Sequence, residues 1–501
     1  MELSIVLAQV SHFFSWPHLL LMVGGILLGI FFGVLPGLAG PQILALLLPA
    51  TFGLDMYSAL VLLLSASAAT LFAGSITTIL IGVPGTALNA ATLIDGFPLA
   101  KQGKAGLAIG AAGASSALGG IIGVIVLIGT LPLAKLAVLS FSFPEMFLLG
   151  MIGIVAISVM GEAPILKTLI CGLAGFVMAT IGYEPIGSNI RFTFGMPYLW
   201  EGIKVVPLTM GVFGVAEAFD LFSRKQDVKK ENIIFISLRS SIKDFMSGIR
   251  ETVKRPWIVL QGGMIGSMIG LIPGIGASVA QFVAYSFGVA IAKDKSRFGK
   301  GDLRGVIAPE SSNNAVAGGA LVPTLVFGIP GSVETAILLG AFTIHGITPG
   351  VGLINEKPEL VYAVVFTLVA ANIFAVLIGL CLAGVLIKLV TAPAPVVGTF
   401  VLSLSLLGAY ITEGLLGDVM ITIVFGLVGY AMKKGNFSRV ALVIGLVLGG
   451  MLEVNLKQTI LSGGLILFVT RPLSLILLLI NIAAIGLSFR ANLRRRIATG
   501  A

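Results

Sequence analysis

The sequence predicts an all-α polytopic membrane protein with two inverted-topology repeats, broken or re-entrant helices, and an extra C-terminal helix. Two observations predict this class. Only 11% of the 501 residues are charged and 57% are hydrophobic, whereas a soluble domain is about 25% charged. Short proline-glycine motifs also recur in both halves of the chain. So few charges cannot cover a surface against water, so we expect the chain to fold in a bilayer.

The composition also excludes several classes of function. The net charge of +9 comes from short basic runs between apolar segments, which is typical of cytoplasmic loops rather than of nucleic-acid binding. The two cysteines and three histidines show no ligand spacing, so we expect no metal cluster, disulfide or cofactor. The sequence lacks the GxSxG and HExxH motifs that an intramembrane enzyme would use. It therefore predicts a protein that is not an enzyme.

Four motifs of the first half recur in the same order in the second half. The matched pairs are Gly33–Leu38 with Gly270–Ile275, Gly82–Thr86 with Gly328–Ser332, Gly182-Tyr183 with Gly429-Tyr430, and Gly214–Glu217 with Gly450–Glu453. Four colinear matches predict an internal duplication. We expect a first transmembrane repeat over residues 1–235, a second repeat with the terminal helix over 236–501, and a cytoplasmic connector at about 220–255.

The charges of corresponding loops predict that the two repeats are inverted. The basic loop Lys293–Arg304 corresponds to Thr51–Tyr57, which has no basic residue, and the basic turn Lys101–Lys104 corresponds to the neutral-to-acidic His345–Glu359. Because basic loops remain cytoplasmic, corresponding loops lie on opposite sides of the membrane. Many secondary transporters have this arrangement. The connector should form an amphipathic helix near Ile233–Met246, on the membrane surface or packed on the bundle.

Four apolar segments contain a central proline-glycine pair and should break there. These segments are Pro17–Ala50, Ser58–Ile94, Pro256–Ala292 and Ala315–His345. Proline removes a backbone donor and glycine frees φ, so a helix cannot continue through the pair. Unpaired backbone is tolerated in lipid only where it lines protein or a wet cavity, and a half-helix N-terminus attracts anions. The breaks therefore predict an anion site, although such pairs can also kink helices for packing alone.

Polar residues around the second break of each half form the candidate site. The predicted substrate-binding residues are Pro84, Gly85, Thr86, Asn89, Asn313, Asn314, Pro330, Gly331 and Ser332. The predicted cation-coupling residues, which offer hydroxyl oxygens to Na⁺, are Ser75, Thr77, Thr78, Ser311 and Thr335. Consecutive amides at Asn313-Asn314 are hard to explain by packing, but helix capping after Pro309 by Ser311 or Asn313 is an alternative. Glu310 either binds a coupling cation or lies among the lipid headgroups.

These residues also carry a resemblance to a known family. The chain resembles the large membrane subunit of the tripartite tricarboxylate transporter family (TctA-type). The motifs that match are GVLPGLAGP (33–41), GSITTILIGVPGT (74–86), DGFPLAKQGKAG (95–106), GLIPGIGA (270–277), APESSNNA (308–315) and PTLVFGIPGS (323–332). They occur in the family's order and cover both halves of the chain.

The resemblance implies a subunit of a secondary active transporter in the bacterial inner membrane. Such a system imports a tricarboxylate such as citrate, or a related organic acid, and is driven by a Na⁺ or H⁺ gradient. Its implied partners are a small membrane subunit of about four helices and a periplasmic solute-binding protein. Oxygen-rich side chains beside unwound backbone favour Na⁺ over H⁺. The alternatives are a TRAP-like dicarboxylate carrier and a channel or scaffold subunit.

Overall fold

The computed structural model describes residues 9–35, 38, 40–138, 140–160, 163–187, 189–223, 238–273, 277–347, 349–390 and 393–499. These residues are helical except for connecting loops and one small antiparallel sheet. Its two strands are β1 (Gly182–Tyr183) and β2 (Ile190–Arg191). They lie in a long loop whose backbone pairs with itself, which is a local departure from the all-α prediction.

The helices of the first half include long spans and short pieces that flank the breaks. They are α1 (Trp16–Gly33), α2 (Gly40–Leu47), α3 (Met56–Ile81), α4 (Ala90–Leu99), α5 (Ala105–Val138), α6 (Phe143–Met160), α7 (Ile165–Ala179) and α8 (Val205–Ser223). Short 3₁₀ or π turns occupy Leu48–Thr51, Ala87–Asn89, Ala100–Lys104 and Pro197–Leu199.

The second half begins with a polar helix and ends with the extra helix that the sequence predicted. Its helices are α9 (Leu238–Val253), α10 (Pro256–Gly270), α11 (Ala277–Ile291), α12 (Arg304–Phe327), α13 (Val333–Ile344), α14 (Val351–Glu356), α15 (Pro358–Val390), α16 (Ala394–Glu413), α17 (Leu416–Lys434), α18 (Arg439–Gly463), α19 (Leu467–Thr470) and α20 (Pro472–Thr499).

The outer surface of the helical bundle is apolar and therefore suited to contact with lipid. Eight of the described helices are long and apolar enough to cross a membrane. Large apolar side chains face outward, with Leu133 67% exposed and Met420 66% exposed, whereas Glu310 and Asn89 are wholly buried. In a soluble protein these two kinds of residue would occupy the opposite places. The predicted multi-pass membrane protein is confirmed.

Helices end at each of the four predicted breaks. α1 ends before, and α2 begins after, Pro36-Gly37, and α10 and α11 flank a similar gap; Pro36, Gly37 and Gly274 lie outside the described residues. At the second break of each half, a glycine in the left-handed region ends the helix: Gly82 has φ +74° and Gly328 has φ +67°. Only glycine adopts that conformation without strain.

After each of these glycines the chain turns back along the helix that it has just left. A Cβ added to Gly85 would lie 2.6 Å from the Cα of Gly74, and a Cβ added to Gly331 would lie 2.6 Å from the Cα of Ala320. The two turns therefore need glycine for close backbone approach. Gly331 lies 246 positions after Gly85, and Ala320 lies 246 positions after Gly74.

Rows of glycines bring α1 against α3, and α10 against α12. A Cβ on Gly29 would lie 2.2 Å from the carbonyl oxygen of Ala66, and a Cβ on Gly266 would lie 2.3 Å from that of Ser312. The same contact recurs one turn before and one turn after each of these positions, at Gly25 and Gly33 in α1 and at Gly262 and Gly270 in α10. The two rows are 237 positions apart, which supports the interpretation of two repeats.

Each half covers a central helix of the other half. α5 packs on α12, where a Cβ on Gly119 would lie 2.0 Å from the carbonyl oxygen of Ser311. Reciprocally, α15 packs on α3, where a Cβ on Gly379 would lie 2.7 Å from the Phe72 ring. The two halves are therefore interlocked rather than laid side by side.

The connector helix packs on the bundle, which is one of the two predicted positions. α9 is described over Leu238–Val253, which includes the predicted helix from Leu238 to Met246; residues 224–237, with the predicted start at Ile233, lie outside the described part of the chain. Gly248 of α9 and Gly110 of α5 meet the opposing backbone, since a Cβ on either would lie 2.2 Å from a carbonyl oxygen. Phe245 is buried in this contact.

Loops with similar charge lie together. Gln102 Nε2 donates to the Lys300 carbonyl oxygen at 2.7 Å, and the Asp95 carboxylate accepts the backbone N–H of Gly301 at 2.8 Å. In the other set, His345 Nε2 lies 3.1 Å from the Leu54 carbonyl oxygen. The two basic loops thus share one end of the bundle, and the two non-basic loops contact each other elsewhere.

Candidate functional site

A carboxylate surrounded by hydroxyl groups lies where the two halves meet. Glu310 of α12 has no exposed surface. It accepts hydrogen bonds from Ser75 at 2.7 Å, Thr92 at 2.5 Å and Ser116 at 2.8 Å. All three donors belong to the first half of the chain. Because the side chain is fully enclosed by protein, Glu310 does not contact lipid headgroups, which favours the cation-binding alternative.

The predicted substrate residues Thr86 and Asn89 lie beside this cluster and bond to each other. Thr86 Oγ1 donates to Asn89 Oδ1 at 2.7 Å. Asn89 Nδ2 donates to Ser75 Oγ at 2.7 Å and to the Leu71 carbonyl oxygen at 3.2 Å. The amide of Asn89 thus ties the turn after the break to the middle of α3, and it directs the Ser75 hydrogen toward the carboxylate.

Thr78 holds the first proline-glycine turn in place. Its hydroxyl donates to the Gly74 carbonyl oxygen at 2.7 Å and accepts the backbone N–H of Gly85 at 3.0 Å. In the second half, Thr324 donates to the Ala320 carbonyl oxygen at 2.6 Å and accepts the N–H of Gly331 at 3.3 Å. Pro84 and Pro330 precede these two glycines. Thr78, a predicted cation residue, therefore satisfies backbone groups that the break leaves unpaired.

Two other predicted cation residues bond to backbone carbonyls away from Glu310. Thr77 Oγ1 donates to the Val34 carbonyl oxygen at 2.9 Å, which fixes α3 to the chain after α1. Ser311 Oγ donates to the Ile307 carbonyl oxygen of its own helix at 2.7 Å. Of the five predicted cation residues, only Ser75 contacts the Glu310 carboxylate in the described part of the chain.

Ser332 and Thr335 cap the half-helix α13. The Ser332 hydroxyl accepts the N–H of Thr335 at 3.2 Å, and the Thr335 hydroxyl accepts the N–H of Ser332 at 2.8 Å. This reciprocal capping box satisfies backbone donors at the start of a helix. The predicted substrate residue Ser332 and the predicted cation residue Thr335 thus have a structural task of their own, while both also line a cavity.

Asn313 and Asn314 lie inside α12, so the alternative that this segment caps a helix is wrong. Pro309, after which a new helix was considered, is itself an interior residue of α12. Asn314 Nδ2 donates to Asn372 of α15, whose own amide donates to the Leu368 carbonyl oxygen. The consecutive amides face the interior of the bundle, where capping has no role.

Asn313 is the most unusual polar residue at this position. It is 1% exposed, and neither its amide oxygen nor its amide nitrogen has a hydrogen-bond partner among the described residues. It lies within reach of the carboxylate of Glu310, which stands one helical turn earlier, but forms no well-aligned hydrogen bond with it. A buried amide without partners costs folding free energy, so its presence points to a bound species.

A cavity of about 40 Å³ adjoins these asparagines. The walls of this cavity are mainly apolar, and its polar lining residues come from both halves of the chain. These polar residues are Ser67, Asn313, Asn314, Ser332, Glu334, Thr335 and Asn372. A volume of this size holds about three water molecules. A tricarboxylate does not fit in a space of this size, so binding requires the helices around it to move apart.

Glu334 adds a second acidic group at this cavity. It lies in the first turn of α13 and lines the cavity beside Ser332. A carboxylate at a helix N-terminus occupies the position that a substrate anion would also favour. An anionic substrate bound here would therefore require a compensating cation nearby.

The polar cluster and the cavity occupy positions that correspond between the halves. The counterparts of Glu310, Ser75 and Thr92 at 246 positions' distance are Leu64, Leu321 and Leu338. These three leucines line the cavity. One half therefore fills this place with a hydrogen-bonded carboxylate, while the other leaves an apolar-walled space.

Sequence reasoning missed three polar residues of the site. Ser116 binds Glu310, Asn372 binds Asn314, and Ser67 lines the cavity. Each lies within a long and mainly apolar segment, Ser116 beside Ser115, Ser67 near Ser65, and Asn372 alone among apolar neighbours, which was a usable signal. Their association with the motifs depends on packing between distant helices, which the local pattern does not contain.

Comparison with known proteins gives a match over most of the chain. The profile of the Tripartite tricarboxylate transporter TctA family matches residues 19–444. An uncharacterised 52.8 kDa protein of Agrobacterium vitis, from the TAR-I ttuC′ 3′ region, is 33% identical over 479 residues, which cover 94% of this chain and 93% of that protein. An uncharacterised protein from the TAR-II ttuC′ 3′ region of the same organism is 32% identical over 233 residues, 46% of this chain and 96% of that protein. No solved structure matches.

Proposed function

The chain belongs to the tripartite tricarboxylate transporter TctA family, and from that premise we propose that it is an ion-coupled importer of carboxylates. The family is one of transport proteins, so the chain is a membrane component of a transporter and not an enzyme. Membership also favours the tricarboxylate system over a TRAP-like dicarboxylate carrier. The substrate is citrate or a related organic acid, and the coupling ion is Na⁺ rather than H⁺.

One observation carries this proposal: the buried, unpartnered amide of Asn313 faces a cavity beside two helix breaks. Amide side chains and half-helix N-termini can replace the water around a carboxylate without a permanent positive charge in lipid. We propose that the substrate contacts come from Asn313, Asn314 and Ser332. Pro84, Gly85, Pro330 and Gly331 shape the two turns, and Thr86 and Asn89 support the site from behind.

The small size of the cavity supports a carrier rather than a channel. A space of this size between two interlocked halves has to widen before a carboxylate enters. Alternating access of this kind is the common mechanism of transporters with broken helices. The partners implied by the family are a small four-helix membrane subunit and a periplasmic solute-binding protein, and the location is the bacterial inner membrane.

Uptake in proteoliposomes tests the proposal. The chain is reconstituted with the candidate small subunit and binding protein, and labelled di- and tricarboxylates are offered with Na⁺ or with choline in its place. We expect uptake of a tricarboxylate or related acid that depends on Na⁺ and on the binding protein. Counterflow, in which internal unlabelled substrate drives uptake of labelled substrate, is expected of a carrier and absent from a channel.

Uptake that persists in choline and is abolished by collapsing the pH gradient would show that the coupling ion is H⁺ and not Na⁺. Uptake of no carboxylate under any of these conditions would contradict the proposed function.

A further inference from the structure

We propose that Glu310 is the carboxylate that binds the coupling Na⁺, and that Asn313 connects this cation to the substrate; the proposal rests on the proposed function. The site consists of oxygen atoms from both halves: the Glu310 carboxylate, the hydroxyls of Ser75, Thr92 and Ser116, and the amide oxygen of Asn313. Of these residues, the sequence singled out Ser75 as a cation residue and left cation binding by Glu310 as one of two alternatives.

The hydrogen bonds around Glu310 are those of an ionised carboxylate. Three hydroxyl groups donate to it, at 2.7, 2.5 and 2.8 Å. The Ser75 hydroxyl also receives a hydrogen from Asn89 Nδ2, so its own hydrogen is available for Glu310. Donors of this kind favour the charged form of a carboxyl group.

In the part of the chain that the structure describes, this carboxylate has no balancing positive charge. Among the described residues, no lysine, arginine or histidine forms an ion pair with Glu310, whereas the buried Glu145 and Glu217 pair with Arg471 and Lys433. A buried charge without a partner is costly. A bound cation removes that cost, which gives Glu310 a reason to bind one.

The oxygen atoms at this place suit Na⁺ better than a proton. Hard cations take carboxylate, carbonyl and hydroxyl oxygens together, and each hydroxyl here has lone pairs that it can turn toward a cation. A proton on Glu310 needs only one acceptor and would displace one of three donors. The unpartnered Asn313 amide oxygen supplies a further ligand.

Asn313 lies between the cation position and the cavity. It follows Glu310 by three residues on α12, so both side chains share one face of the helix. The same side chain lines the cavity. When its oxygen binds Na⁺, its N–H₂ group is directed to the other side and can donate to a substrate carboxylate. Cation and substrate then bind cooperatively, and the coupling is reciprocal.

The test measures Na⁺ binding without transport. Thermal unfolding of the purified full chain is followed while NaCl replaces choline chloride, first without and then with citrate. A ligand that binds the folded protein raises the unfolding temperature. We expect Na⁺ to stabilise the wild type and to tighten carboxylate binding by about 5- to 150-fold. Glu310→Gln, which keeps the shape but removes the charge, should lose both effects.

Two glutamate variants and one serine variant serve as comparisons. Glu356→Gln alters an exposed glutamate and should respond to Na⁺ as the wild type does. Glu334→Gln, at the cavity, should retain Na⁺ stabilisation without substrate. Ser116→Ala removes one proposed ligand and should raise the half-saturating Na⁺ concentration several-fold. If Glu310→Gln does not fold, the Na⁺ response of Ser116→Ala tests the cation site instead.

Na⁺ stabilisation that survives Glu310→Gln, or an unchanged Na⁺ requirement in Ser116→Ala, would overturn the proposal. A wild type that responds to acid but not to Na⁺ would also overturn it. Na⁺ stabilisation that depends on Glu310, in a protein that binds no carboxylate, would support the cation site and contradict the proposed function instead.

Discussion

At the scale of single residues, burial without a hydrogen-bond partner separates Asn313 from its neighbours. Asn313→Ala removes no hydrogen bond from the described protein, so the fold should keep its stability. It does remove a donor to a charged substrate group, worth roughly 1.5–3 kcal/mol. We expect the apparent affinity for the carboxylate to fall by about 10- to 100-fold, measured by binding or uptake across a substrate series.

Asn355→Ala is the matched control for this change, because Asn355 is exposed and should leave affinity unaltered. Equal affinities of the Asn313 variant and the wild type would place substrate recognition elsewhere in the bundle.

Asn89→Ala should have the opposite result. Its amide makes three hydrogen bonds inside the protein, and removing it leaves buried groups unpaired at about 1–3 kcal/mol each. We expect a lower unfolding temperature in detergent, with affinity in the remaining folded protein less affected than in Asn313→Ala. A variant with normal stability and lost affinity would instead assign Asn89 to direct substrate contact.

At the scale of helices, close backbone contact depends on individual glycines. Gly29→Ala puts a methyl group 2.2 Å from the Ala66 carbonyl oxygen, so α1 must move away from α3. Overpacking of this kind costs about 1–3 kcal/mol. Gly24 lies on the same helix with nothing within 4 Å of its added Cβ. Thermal unfolding should therefore show a lower midpoint for Gly29→Ala and no decrease for Gly24→Ala; equal midpoints would contradict the packing argument.

The sequence was sufficient for the breaks but not for the tasks of the hydroxyl groups. Proline and glycine act through their own backbone geometry, so Gly82 and Gly328 end helices as their local pattern predicts. Serine and threonine can satisfy either a ligand or a nearby carbonyl. Thr77 and Thr78 bind backbone because helix ends happen to lie beside them, and that proximity is a property of the packed bundle.

The remaining site residues were missed because their hydrogen-bond partners lie far away in the sequence. Glu310 could be noticed in the sequence as an acid in an apolar region, but its three donors come from 194 to 235 positions away. No short stretch of the sequence contains both Glu310 and one of its donors. The amphipathic connector helix, in contrast, was predictable in kind because its charge pattern is local.

At the scale of the whole molecule, the predicted inverted arrangement of the two repeats determines which loops should face the cytoplasm. In a background with Cys171 and Cys381 replaced by alanine, single cysteines are introduced at Gly53 and Lys295. Because basic loops remain cytoplasmic, an impermeant thiol reagent applied to intact cells should label position 53. Position 295 should react only after the membrane is opened. Labelling of both positions from the same side would exclude inverted repeats.

Because the two halves interlock, helices that are synthesised early pack against helices that are synthesised later. The covering helix α5 ends at Val138, but α12, on which it packs, begins only 166 residues later. At ordinary ribosome speeds that interval lasts roughly 10–30 s. Throughout it, the α5 glycines that contact α12, Gly119 and Gly123, can meet only lipid or a helper protein on that face. We therefore expect two separately expressed pieces, divided within residues 224–237, to accumulate only when one cell makes both.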